Sequence, residues 1–165
     1  MNKAGKVFIA ITSLFLLLTG VAGAQTKTIK VGAAINLTGP ASTWGQFHEK
    51  GQRDYFRYVN EVKKGVYGHT INMITVDTAY KVPEAQAAVR KFVLQDKVDM
   101  IATWGAGEGL AAKPIIQEHK VPAINYSTSW ELLEDPIDYM YLPFGSYRMD
   151  CQAVLDYIMA IHKGK

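Results

Sequence analysis

The chain has 165 residues, 48% hydrophobic and 20% charged, with a formal charge of +3. Two of its basic residues, Lys3 and Lys6, lie at the extreme N-terminus, so the rest carries +1, and basic residues never run beyond two together. Neither fact points to a nucleic-acid partner. The single cysteine, Cys151, excludes an internal disulfide, so stability has to come from an apolar core.

Lys3 and Lys6 precede an apolar run, Val7 to Leu18, broken only by Thr12 and Ser13. Ala22-Gly23-Ala24 then places small residues where a signal peptidase reads. That order is the signature of a secretory leader over residues 1–24, and it implies export from the cytoplasm. A membrane span needs about 20 apolar residues, and Thr19-Gly20 with Ala22 to Ala24 dilute this run too early. No cysteine follows it to take a lipid. Residues 25–165 remain, enough for one domain with its own core.

Thr28 to Ile35 is short, apolar and rich in β-branched residues, which predicts a buried strand. Gln46 to Val62 alternates apolar and charged residues at helical spacing, up to Gly65 and Gly68. Thr70 to Val76 reads as a second strand, and Pro83 opens a helix running to Gln95. Val98 to Thr103 is a third strand, followed by a glycine-rich turn, Gly105 to Gly109, and a helix from Leu110 to His119. Val121 to Tyr126 is a fourth strand. Glu131 to Leu133 suits one helical turn and Met140 to Phe144 a short extended piece. Tyr147 to His162 is a last helix with Cys151, Val154, Leu155, Ile158 and Ile161 on one face, and Cys151 is expected to be a buried free thiol. Strands alternating with helices predict an α/β fold, a doubly wound parallel sheet. Ligands of such sheets bind at the carboxyl ends of strands. Here those ends are Asn36 to Gly45, Trp104 to Gly109 and Ser127 to Trp130.

Little in the chain supports catalysis. His48, His69, His119 and His162 are scattered over four elements without metal-ligand spacing. There is no nucleophile elbow and no phosphate loop, and Asp77, Asp96, Asp99, Glu108 and Glu131 form no recognisable acid–base dyad. No metal and no cofactor is implied. Gly105 to Gly109 follows a strand and precedes a helix, but the third glycine of a dinucleotide fingerprint falls on Leu110. Small residues there still let a ligand reach backbone N–H groups at a helix start, where an anion such as a carboxylate is favoured; a plain packing turn is the alternative. Trp44, Trp104, Tyr126 and Trp130 lie in or beside the same loops and suit an apolar ligand pocket, or simply packing. The sequons at Asn36 and Asn125 read as chance.

The run from Ile29 through Gly39, Pro40, Trp44 and Gly45 resembles the start of the type I periplasmic binding proteins, in the leucine/isoleucine/valine-binding branch. So do the strand ending near Asp77, Pro83-Glu84-Ala85 opening a helix, the strand into Gly105, and Val121 to Ile124 followed by Ser127-Thr128-Ser129. The resemblance covers Thr28 to His162. It implies an extracytoplasmic solute-binding component of an ABC importer that captures a small amino acid or related carboxylate or amide without chemistry. It also implies a membrane permease as partner. An exported sensory domain and an exported enzyme are the alternatives. Trp44 would wall the pocket, Ala106 and Gly107 would hold the ligand carboxylate, and Ser127 and Ser129 would meet its polar end, with Trp104 and Tyr126 nearby. Amino-acid binders of the family commonly have serine where Ala106 stands, so other ligands remain open. Family members have two lobes and more than twice this length. The chain is therefore expected to be an incomplete first lobe that binds weakly alone.

Overall fold

A computed structural model describes residues 28–162. The leader over residues 1–24 lies outside the described residues. Five parallel strands form one sheet in the order β2-β1-β3-β4-β5. They are β1 (Ile29–Ile35), β2 (Ile71–Asp77), β3 (Met100–Trp104), β4 (Ala123–Tyr126) and β5 (Met140–Tyr141). The helices are α1 (Ser42–Glu61), α2 (Val82–Lys91), α3 (Ala106–His119) and α4 (Tyr147–His162). A wide π turn, Phe92–Asp96, extends α2, and a 3-10 turn spans Trp130–Leu133. The α/β doubly wound parallel sheet expected from the alternation is therefore present.

The sheet's direction of growth decides where each helix lies. The chain steps from β1 to β2 one way, and from β2 across to β3 and β4 the other way. Right-handed crossovers taken in opposite directions put their helices on opposite faces. So α1 lies on one face and α2 and α3 on the other. The α2/α3 face holds the main core, where Phe92, Val89, Ile101, Ile115, Ile116 and Leu132 are fully or almost fully buried. The α1 face is thinner, with Ala33, Ile35 and Ala102 as its buried centre. Beside α1 an apolar groove of about 640 Å3 runs along the sheet over Ile29, Val31, Met100 and Ile124.

Two expectations are corrected. The glycine-rich segment is not a turn ahead of a helix at Leu110; α3 starts at Ala106. Gly105 alone takes the special geometry, φ 85° and ψ 149°, a region that is essentially glycine-only, and the four residues after it are free to be helical. Cys151 is exposed, not buried. The helical spacing of Val154, Leu155, Ile158 and Ile161 is present in α4, but that helix is exposed along its whole length. Periodicity shows which face is apolar; burial also needs an element against that face, and among the described residues none covers it.

Phe92 fills the centre of the α2/α3 face. Phe92→Ala is expected to cost about 3–5 kcal/mol, a large part of the stability of a domain this size, read as a fall in the urea midpoint at unchanged slope.

Candidate functional site

Sequence order reverses at β1, so the loops after β1 and β3 diverge and leave a crevice at their carboxyl ends. Residue register brings the parts together. Ile35 pairs with Asp77 across β1 and β2, Ala34 with Thr103 across β1 and β3, and Trp104 with Tyr126 across β3 and β4. Immediately beyond β3, α3 begins with Ala106, Gly107 and Glu108. Backbone N–H groups in a first helical turn have no partner within the helix, and with the helix dipole they favour an anion.

A cleft of about 510 Å3 opens there, walled by Trp104, Gly105, Ala106, Tyr126, Ser127 and Thr128, with His48, Tyr80, Phe144 and Tyr147. Its rings brace one another. Tyr80 meets Trp104 edge-on, with centroids 5.9 Å apart, and Tyr126 meets His48 at 3.9 Å and Phe144 at 6.3 Å. Gln52 Nε2 donates to the Tyr126 hydroxyl at 2.9 Å, fixing that ring from the α1 side. Burial pushes the His48 imidazole below its usual pKa, favouring the neutral ring. The groove under α1 is larger, but its wall is almost wholly apolar and it follows the sheet face. The strand-end cleft is the one with polar groups able to orient a ligand.

Of the residues expected at the site, Trp104, Ala106, Tyr126 and Ser127 line this cleft together. Trp44, Gly107 and Ser129 do not. Trp44 stands in the first turn of α1 and is 71% exposed. Gly107 is the second residue of α3 and faces Val82. The Ser129 hydroxyl donates to the Glu131 carboxylate, and its N–H donates to Ser127 Oγ at 3.1 Å. Trp130 stacks under the Arg148 guanidinium at 5.6 Å. Sequence reasoning missed His48, Tyr80, Phe144 and Tyr147. His48 had a readable signal, being one helical turn beyond Trp44. Tyr80 had none, because its left-handed backbone (φ 60°) depends on the packing of the β2 loop.

Polar side chains tie the loops behind the cleft. The Asp77 carboxylate accepts from the N–H groups of Leu37 (2.9 Å), Thr38 (3.2 Å) and Ala79 (2.9 Å) and from the Thr38 hydroxyl (2.6 Å). Partial desolvation raises its pKa, but these hydrogen bonds outweigh it and hold the carboxyl below its ordinary value. Asn125 Nδ2 donates to Thr103 Oγ1 at 2.8 Å and to the Gly105 carbonyl at 3.1 Å, fixing the bend into α3. Asn36 and Asn125 are both fully buried, so neither sequon is open to modification in the fold. Among the described residues no group of three or more His, Cys, Asp or Glu could hold a metal, and no helix is long and apolar enough to cross a membrane.

The family profile described as "Periplasmic binding protein" matches residues 28–165. A branched-chain amino acid ABC transporter structure from Thermus thermophilus with bound valine superposes at TM-score 0.72 and 32% identity, over 84% of this chain and 36% of that one. A fatty acid ABC transporter substrate-binding protein from Thermomonospora curvata gives 0.71 and 27%, over 85% and 35%. A solute binding protein from R. palustris in complex with 4-hydroxybenzoate gives 0.61 and 27%, over 73% and 32%. No curated protein matches at a significant level. The chain belongs to the periplasmic binding protein family, and it spans roughly a third of the length of these solved structures.

The Asp77 network predicts a pH signature. A carboxyl held below its unfolded value stabilises the fold above that value, 3.8, and the contribution is lost as pH falls through the folded value. Asp77→Asn is therefore expected to lower the thermal midpoint at pH 6, and the gap from wild type should close as pH falls below 3.8.

Proposed function

We propose that this chain is the first lobe of an extracytoplasmic solute-binding component of an ABC importer, exported by the leader over residues 1–24. It captures a small amino acid or related carboxylate or amide without chemistry. The observation that carries this is the cleft at the carboxyl edge of the sheet, where Gly105 and Ala106 at the start of α3 line a chamber walled also by Trp104, Tyr126 and Tyr80. An anionic group fits the helix start and an apolar or aromatic body fits the rings. The solved relatives with valine and with 4-hydroxybenzoate carry these two kinds of body. Ser127 also lines the cleft and would meet a second polar group. Trp44, Gly107 and Ser129 would join the site only where a second lobe closes over this edge, a hinge motion that suits this architecture. The closed form is what a membrane permease would recognise.

Calorimetric titration of the mature protein with L-valine, L-leucine, 4-hydroxybenzoate and 4-hydroxybenzamide is the direct test. Weak binding that saturates only at high ligand concentration, with the compound recovered unchanged, is expected of one lobe alone; turnover of any of them would overturn the reading. Trp104→Ala is expected to weaken binding of the tightest compound by about 1–3 kcal/mol, and undiminished affinity would remove Trp104 from the site.

A further inference from the structure

Glu108 is the third residue of α3, set in a run of otherwise small residues, and it is only 2% exposed. A carboxyl group in that position is costly unless donors answer it. The side chains that do so, Asn36 and Thr78, are themselves fully buried and come from the ends of β1 and β2. Asn36 also carries the start of α1. A Cβ on Gly45 would lie 2.0 Å from the Asn36 carbonyl oxygen, so the first helical turn, Trp44 included, rests on that peptide. One carboxyl thus joins three of the elements that shape the cleft.

We propose that Glu108 is a positioning and charge-tuning residue for the cleft, so that capture of an anionic ligand at the first turn of α3 takes up a proton there. The proposal rests on the carboxylate-binding reading above. One hydrogen-bond pattern fits the heavy atoms, with the Asn36 amide nitrogen turned toward Glu108 and the Thr78 hydroxyl. With Glu108 ionised, the Asn36 amide nitrogen faces it and donates to Oε2 at 2.9 Å and Oε1 at 3.3 Å. That charge belongs to the first turn of α3, the turn proposed to receive the ligand's anionic group. Ionised, it competes with an incoming anion for the helix start; protonated, it does not. Burial raises the carboxyl above its usual range, the hydrogen bonds from Thr78 and Asn36 oppose this, and Asp77 at the end of β2 adds to the rise. The other titratable groups around this turn are Tyr80, whose ring lies against Gly105, and His48, Tyr126 and Tyr147, which line the same cleft.

The test needs two measurements on the mature protein. In the absence of ligand, NMR should show the Glu108 carboxyl carbon and the Asn36 side-chain amide titrating with one shared midpoint, above the ordinary glutamate value of about 4.3. Calorimetry in buffers of different ionisation enthalpy, above pH 6, should show proton uptake on binding 4-hydroxybenzoate and none on binding neutral 4-hydroxybenzamide. Affinity for the anion should rise as pH falls, by up to about tenfold per unit, because proton and ligand binding are reciprocal. Glu108→Gln should abolish both the uptake and the pH dependence; wild-type uptake and the shared midpoint need no variant to be read. Asn36 signals that ignore Glu108, or uptake that persists in Glu108→Gln, would overturn the proposal. If neither probe binds, the functional reading falls and the coupling with it, and the shared midpoint then shows whether the buried contact alone exists.

Discussion

Two parallel strands that feed their following elements in opposite directions cannot place both loops in the same space. Everything at the carboxyl edge of this sheet depends on that constraint. β1 lies between β2 and β3, so the chain leaves β1 toward one face and β3 toward the other. The gap between them is where α3 presents its first turn. The price of opening a gap in a small domain is exposed backbone, and here polar side chains tie the strand-end loops together. Asp77 gathers three N–H groups of the β1 and β2 loops, Asn125 fixes the bend at Gly105, and Glu108 meets Asn36 and Thr78.

The two faces of the sheet differ in kind. The α2/α3 face is a dry core centred on Phe92 and Ile116, with helix packed on helix as well as on strand. The α1 face buries fewer residues and leaves a groove open along Met100 and Ile124. The cleft borrows from both. Trp104 and Tyr126 belong to the α1 side of β3 and β4, while Thr103 and Asn125, one residue back on each strand, point into the other layer. Alternation along a strand lets adjacent residues serve a ligand wall and a structural hydrogen bond at once.

Much of this was legible in the residues. The strands were found within about two residues of their ends, because β-branched runs between glycine and proline signals have few other uses. Family membership was legible from the order of weak motifs, none of which was specific alone. Trp104, Ala106, Tyr126 and Ser127 could be placed at the cleft because strand ends can be located from periodicity, and whatever follows a strand end in such a sheet lies at its carboxyl edge. Cys151 was misjudged because an apolar helical stripe states a preference for burial and not the presence of a partner.

By itself, then, the sequence determined the alternation of elements, the parallel sheet and the edge at which a ligand would be met, since these follow from local spacing and short-range turn chemistry. Only the tertiary structure decided which side chains face one another across that edge. His48 from α1, Tyr80 from the β2 loop and Phe144 from beyond β5 reach the cleft from segments far apart in the chain. Glu108 was one of five acids with no recognisable dyad partner in the sequence, and in the fold Asn36 and Thr78 close over it. The reason is physical: a side chain's burial and charge are set by neighbours distant in sequence, and periodicity carries no information about them.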